Sequence, residues 1–206
     1  METKTGSIFE EAIQLLSGSE DSENDYLPNH EHLLPSIEKL KEIVELIRSI
    51  VFPGYFGGPV LRHQSLSHLL GVRIEKLYGL LYEQILSVHH FDTVNNGSVD
   101  EAEYAAETAS QFIGILPDIR KKLGTDVHAI YDGDPAAKNH GEIIFCYPSI
   151  RAMINYRTAH TLLSLGVPLI PRIISEMAHS ETGIARRPSP RFSCWAVPGS
   201  KTGWNT

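Results

Sequence analysis

Asp132, Gly133, Asp134 and Pro135 form an acidic turn, two carboxylates set among residues that interrupt a helix. Proline suits the first position of a helix and aspartate suits the cap just before it. Asp134 therefore reads as the N-cap of a helix opening at Pro135. The same carboxylate, turned outward, can hold a substrate ammonium group, and the residues alone admit both roles. Further on, Arg157 and His160 lie three apart on one helix face. They can bind an anion or serve as a base, or they can pair with local acids such as Glu142 or Glu176.

Metal chemistry is weaker. The chain has 10 histidines, with His30 and His32, and His89 and His90 beside Asp92, as the closest groups. Zinc needs three or four ligands converging in space. Neighbours such as His89 and His90 on a helix point about 100 degrees apart, so they chelate poorly together. Residues 92–103, DTVNNGSVDEAE, place Asp92, Asn96, Gly97, Asp100 and Glu103 at positions one, five, six, nine and twelve of a calcium loop. Val94 stands at position three, where an oxygen ligand belongs, and no partner loop follows. An Asn-Gly turn ahead of a helix capped by Ser98 and Glu101 accounts for the same residues. No metal is expected.

Nucleotide and nucleophile motifs are missing from the sequence. FPGYFGGP, residues 52–59, is glycine-rich but follows a helix rather than a strand, and reads as a turn. There is no G-x-S-x-G elbow. Cys146, between apolar and aromatic neighbours, reads as a buried structural thiol.

The elements that must position these residues follow from apolar spacing. Residues 7–17 suit a short amphipathic helix, and an acidic linker follows to residue 32. A helix is predicted from Pro35, with Ile37, Leu40, Ile43, Val44, Ile47, Ile50 and Val51 on one face. A second covers 64–90 with a seam of Leu66, Leu70, Ile74, Leu77, Leu81, Ile85 and Val88. A third runs over 99–114, and Pro117 opens a fourth. Two more fall at 148–165 and 168–180, parted by Gly166 and Pro168. The fold class is all-α down to about residue 183, with multiple helices and an irregular C-terminal tail.

With 18 Lys and Arg against 25 Asp and Glu, the net charge is -7. That excludes a general binder of nucleic acid or of membrane surfaces. Two cysteines imply no disulfide framework and suit a reducing, cytoplasmic setting. The N-terminus has no signal-peptide pattern. From Ala185 to Thr206 the composition changes: there is no acidic residue, and both tryptophans, Trp195 and Trp204, fall there. This segment is expected to be an unstructured tail.

Residues 125–184, from TDVHAIYDGDPAAKNHGEI through YPSIRAMINYRTAH to MAHSETGI, resemble the serine acetyltransferases. LPSIEKLKEIVELIRSIVFPGYFGG and the seam helix after it resemble the N-terminal extension of one bacterial branch of that family. The resemblance covers roughly residues 33–184. It implies transfer of an acetyl group from acetyl-CoA to the hydroxyl of L-serine, in cysteine biosynthesis. A histidine would act as general base, supported by an aspartate. The aspartate of the family's DPA turn helps to hold the substrate serine, and it matches Asp134. The helical domain would also drive homo-oligomer assembly.

The match stops at Ile184. The family continues with D-I-H-P and the hexapeptide repeats of a left-handed β-helix, whereas this chain reads Ala185, Arg186, Arg187, Pro188. The expected organisation is a short helix and acidic linker over 1–32, a serine acetyltransferase-like helical domain over 33–184 and an atypical tail over 185–206. By the same resemblance the chain is expected to be truncated before the β-helix. It would then have little activity alone, no catalytic residue, no bound cofactor and no cysteine synthase contact. The competing expectation is a non-catalytic helical oligomerisation or interaction module.

Overall fold

The computed structural model of the chain describes residues 2–17, 34–58, 66–92 and 100–184. Among them there are seven helices and no strand, so the described part of the chain is all-α. It divides into two compact units, one ending at His32 and the other beginning at Leu33. The first holds α1, Glu2–Ser17, whose Ile8, Phe9, Ile13, Leu15 and Leu16 are exposed.

In the second unit, α2 spans Ile37–Val51. Its cap is Ser36, whose hydroxyl accepts the Lys39 N–H at 3.3 Å, so Pro35 precedes the cap instead of opening the helix. Leu40, Ile43, Val44, Ile47, Ile50 and Val51 are buried at steps of three and four, whereas Ile37 is 49% exposed. The helix ends at the glycine-rich turn, closed by an isolated bridge between Pro53 and Phe56. Gly57 sits at φ 78° with the Arg73 guanidinium against it. That guanidinium, on the next helix, donates to the Ser49 and Gly57 carbonyls at 2.8 and 2.7 Å. A Cβ on Gly57 would lie 2.6 Å from Arg73 Nη2, so only glycine fits both the backbone and the space.

Helix α3 spans Leu66–Asp92. Its seam is real but graded: Leu77, Leu81, Ile85 and Val88 are fully buried, while Leu66 is exposed. The predicted third and fourth helices are one, α4, Glu101–Gly133, with Pro117 inside it. An interior proline costs about 3 kcal/mol through a lost hydrogen bond and a clash. Here the buried face of Ala105, Thr108, Ala109, Phe112, Leu116, Ile119, Leu123, Val127 and Ile130 runs straight past Pro117 and holds the helix continuous. Its cap is Asp100, accepting from the Ala102 and Glu103 N–H groups; Ser98 lies outside the described residues.

A seven-residue helix, α5, His140–Cys146, has no strong apolar period and escaped the sequence reading. Asn139 caps it through the Glu142 N–H at 2.9 Å, and Glu142 reaches back to the Lys138 N–H at 2.8 Å. Helix α6, Pro148–Ser164, starts at a proline as predicted. Helix α7, Ile170–Thr182, ends at left-handed Gly183, φ 69°. Helix α3 packs along α4 and α6 against α7, while α2 touches α3, α4, α6 and α7. One core runs through all of them.

Candidate functional site

The acidic turn lies where α4 stops and α5 has not begun. The residue before a proline is pushed out of the helical region, and Asp134 is extended, φ −117° and ψ 101°. It is therefore the C-cap of α4, not the N-cap of a helix at Pro135; the next helix starts only at His140. Its N–H donates to the Ile130 carbonyl at 3.0 Å and its carbonyl accepts the Ala137 N–H at 3.1 Å.

The side chain is held as firmly. Asp134 Oδ1 accepts the Ala136 N–H at 2.9 Å, and Oδ2 accepts the Tyr147 hydroxyl at 2.7 Å. The Tyr147 bond, with the Ala136 N–H second, holds the Asp134 carboxyl below its ordinary range. The same bond pushes the Tyr147 phenol up to about 12. A carboxylate offers about four lone-pair directions. Two are taken here, and the half-buried group keeps the others for a donor such as an ammonium.

Tyr147 was not singled out from the sequence. It stands 13 residues from Asp134, beyond any helical or turn spacing. It terminates α5 and precedes Pro148 at the start of α6. Behind the turn, the His140 ring lies 4.6 Å from that of His128 and 4.5 Å from that of Tyr131.

The structure sets the remaining candidates apart from this turn. Arg157 pairs with neither Glu142 nor Glu176. It grips Asp126 of α4 in a bidentate bridge at 2.6 to 2.8 Å. Burial pushes the Asp126 carboxyl up, against the opposing pull of Arg157. The His160 ring lies 5.9 Å from the ring of Tyr156.

Cys146 is exposed, not buried. Ile143 and Ile144 face inward from α5, and Phe145 and Cys146, at its last turn, face out. Phe145 stacks on Phe56 at 5.9 Å, and the Arg48 guanidinium lies 3.6 Å from the Phe56 ring centre.

Most of the calcium-loop candidate, with His30, His32 and Ala185 to Arg187, lies outside the described residues. Asp100 Oδ1 serves as a helix cap, and Glu101 lies 3.7 Å from His89 Nδ1. Among the described residues no group of three or more His, Cys, Asp or Glu could hold a metal ion. None of the described helices is long and apolar enough to cross a membrane.

The described residues of the second unit are thus all-α, and their acidic DPA turn is held by a tyrosine from the junction of the next two helices. No family model matches the chain. A plasmid serine acetyltransferase of Synechococcus elongatus is 38% identical over 184 residues, 84% of this chain and 58% of that protein. A Synechocystis serine acetyltransferase is 43% identical over 70 residues, 34% of this chain. Serine acetyltransferase 1 of Entamoeba histolytica in complex with L-cysteine superposes with a TM-score of 0.59 at 25% identity, over 85% of this chain and 57% of that one. The native form gives 0.58 at 28% identity, over 78% and 53%. This is a serine acetyltransferase-related chain; its matches span 58% of the Synechococcus elongatus protein, 53–57% of the Entamoeba histolytica chains and 28% of the Synechocystis protein.

Proposed function

We propose that the chain supplies the helical part of a serine O-acetyltransferase. The reaction converts acetyl-CoA and L-serine to O-acetyl-L-serine and CoA, within cysteine biosynthesis. The observation that carries this reading is Asp134, an ionised carboxylate fixed at the matching DPA turn with lone pairs to spare. In this reading Asp134 accepts hydrogen bonds from the serine ammonium and orients the amino acid. Residues 1–184 are assigned no general base and no CoA contact, so acetyl-CoA is a co-substrate of the complete enzyme and turnover by this chain alone is low. The test is CoA thiol release by the purified chain with L-serine and acetyl-CoA. The expected rate is close to background, and turnover at a full enzyme's rate would overturn the low-activity reading.

A second reading is an oligomerisation module, favoured by an open groove between α2 and α7. Ile37, Leu169, Ile173 and Met177 line it together with Lys41, Arg172, Glu176, Ser180 and Glu181. Apolar surface left open in this way suits a protein partner. Size-exclusion chromatography with light scattering, alone and mixed with the Synechococcus elongatus relative, tests it. A strict monomer that does not join the relative argues against it.

A further inference from the structure

We propose that Tyr147 is a positioning residue: its hydroxyl fixes the Asp134 carboxylate in the orientation that receives the ammonium group of an amino acid. This rests on the reading of Asp134 given above and adds to it the residue that holds it. A side chain on a turn ordinarily samples several rotamers, and a ligand must then bear the ordering entropy on binding. Asp134 is relieved of that. Its backbone is tied on both sides, to Ile130 and Ala137, and its two carboxylate oxygens are tied to the Ala136 N–H and the Tyr147 hydroxyl.

Tyr147 is itself an anchored partner. Its N–H donates to the Ile143 carbonyl at 3.2 Å and its carbonyl accepts the Ile150 N–H at 3.1 Å. Pro148 stands at the start of α6 directly after it. The phenol is therefore presented by the junction of two helices, not by a loop. A single donor on Oδ2 leaves that oxygen a second lone-pair direction, which a salt bridge from lysine or arginine would have neutralised. A neutral phenol orients the carboxylate and preserves its charge for a cation. Glu142 and Cys146 are the other titratable groups that act on the phenol, and neither supplies a cation that would compete.

The experiment uses the full chain and its Tyr147→Phe variant, which keeps the ring and both backbone bonds; matching amide spectra establish that the fold is retained. The Asp134 carboxyl carbon is titrated by NMR. In the unaltered chain its midpoint should lie below the ordinary 3.8 and should rise in Tyr147→Phe. An unchanged midpoint overturns the positioning role by itself. L-serine and N-acetyl-L-serine, which lacks the ammonium, are then added while the Asp134 and Ala136 amides are followed. L-serine should bind Tyr147→Phe roughly three- to tenfold more weakly, the net scale of one ordinary hydrogen bond, and should not perturb Asp134→Asn; N-acetyl-L-serine should leave all three unmoved. Equal L-serine affinity in the two chains overturns the proposal. No response to L-serine in the unaltered chain overturns the ammonium role together with the Asp134 reading, whereas the carboxyl titration still decides whether Tyr147 fixes Asp134.

Discussion

At the scale of single residues, the charged groups divide by what they touch. Arg157 is committed to Asp126, both side chains being about 15% exposed. Removing one partner of such a pair leaves the other charged and poorly solvated. Arg157→Met should cost about 3 kcal/mol in urea denaturation, and adding Asp126→Leu should recover most of it. The Tyr147–Asp134 bond carries a pH signature instead. The phenol is raised from 10.0 to about 12, so its contribution is complete below pH 10 and lost as pH climbs through 12. The carboxyl is lowered, so its contribution is present above 3.8 and lost as pH falls through the folded value. The stability difference between the chain and Tyr147→Phe should therefore be flat from about pH 5 to 9 and shrink toward both extremes. A difference that does not change between pH 9 and 12 would contradict this assignment.

At the scale of elements, α4 is the clearest case of packing overruling local preference. Pro117 is exposed, so its side chain fills nothing in the core. Pro117→Ala restores a helical N–H without opening a cavity and should raise stability by roughly 1–3 kcal/mol. Thermal melting followed by circular dichroism measures it, and a drop in melting temperature would show that the proline shapes α4 usefully. The helix start read from sequence succeeds at Pro148, where a proline at the first helical position precedes the buried run of Ile150, Ala152, Met153 and Ile154. Such starts fail at Pro117, where a buried face already running from Ala105 carries the helix through the proline, and at Pro135, where the next helix begins only at His140.

At the scale of the whole molecule, α2 is the common neighbour and α4 the longest beam. Phe112, fully buried on α4, is among the largest side chains in the core. Phe112→Ala should cost about 3–5 kcal/mol, read from the urea midpoint. A loss below about 1 kcal/mol would mean that the second unit is less continuously packed than its shared core implies. The groove between α2 and α7 belongs to this scale as well. Ile37, exposed at the start of α2, is part of its lining.

Sequence by itself determined the helical class, five of the seven helices, the glycine turn after α2 and the residue at which the family resemblance centres, Asp134. Apolar spacing, prolines and glycines act over a few residues, and those signals survive in one dimension. Tertiary structure alone decided that two helices are one across Pro117, that Arg157 belongs to Asp126, that Cys146 faces outward and that Tyr147 holds Asp134. Each of these depends on which helix faces which, and Tyr147 reaches Asp134 only because α5 turns the chain back beside the end of α4. A hydrogen bond between residues brought together by folding has no spacing to announce it.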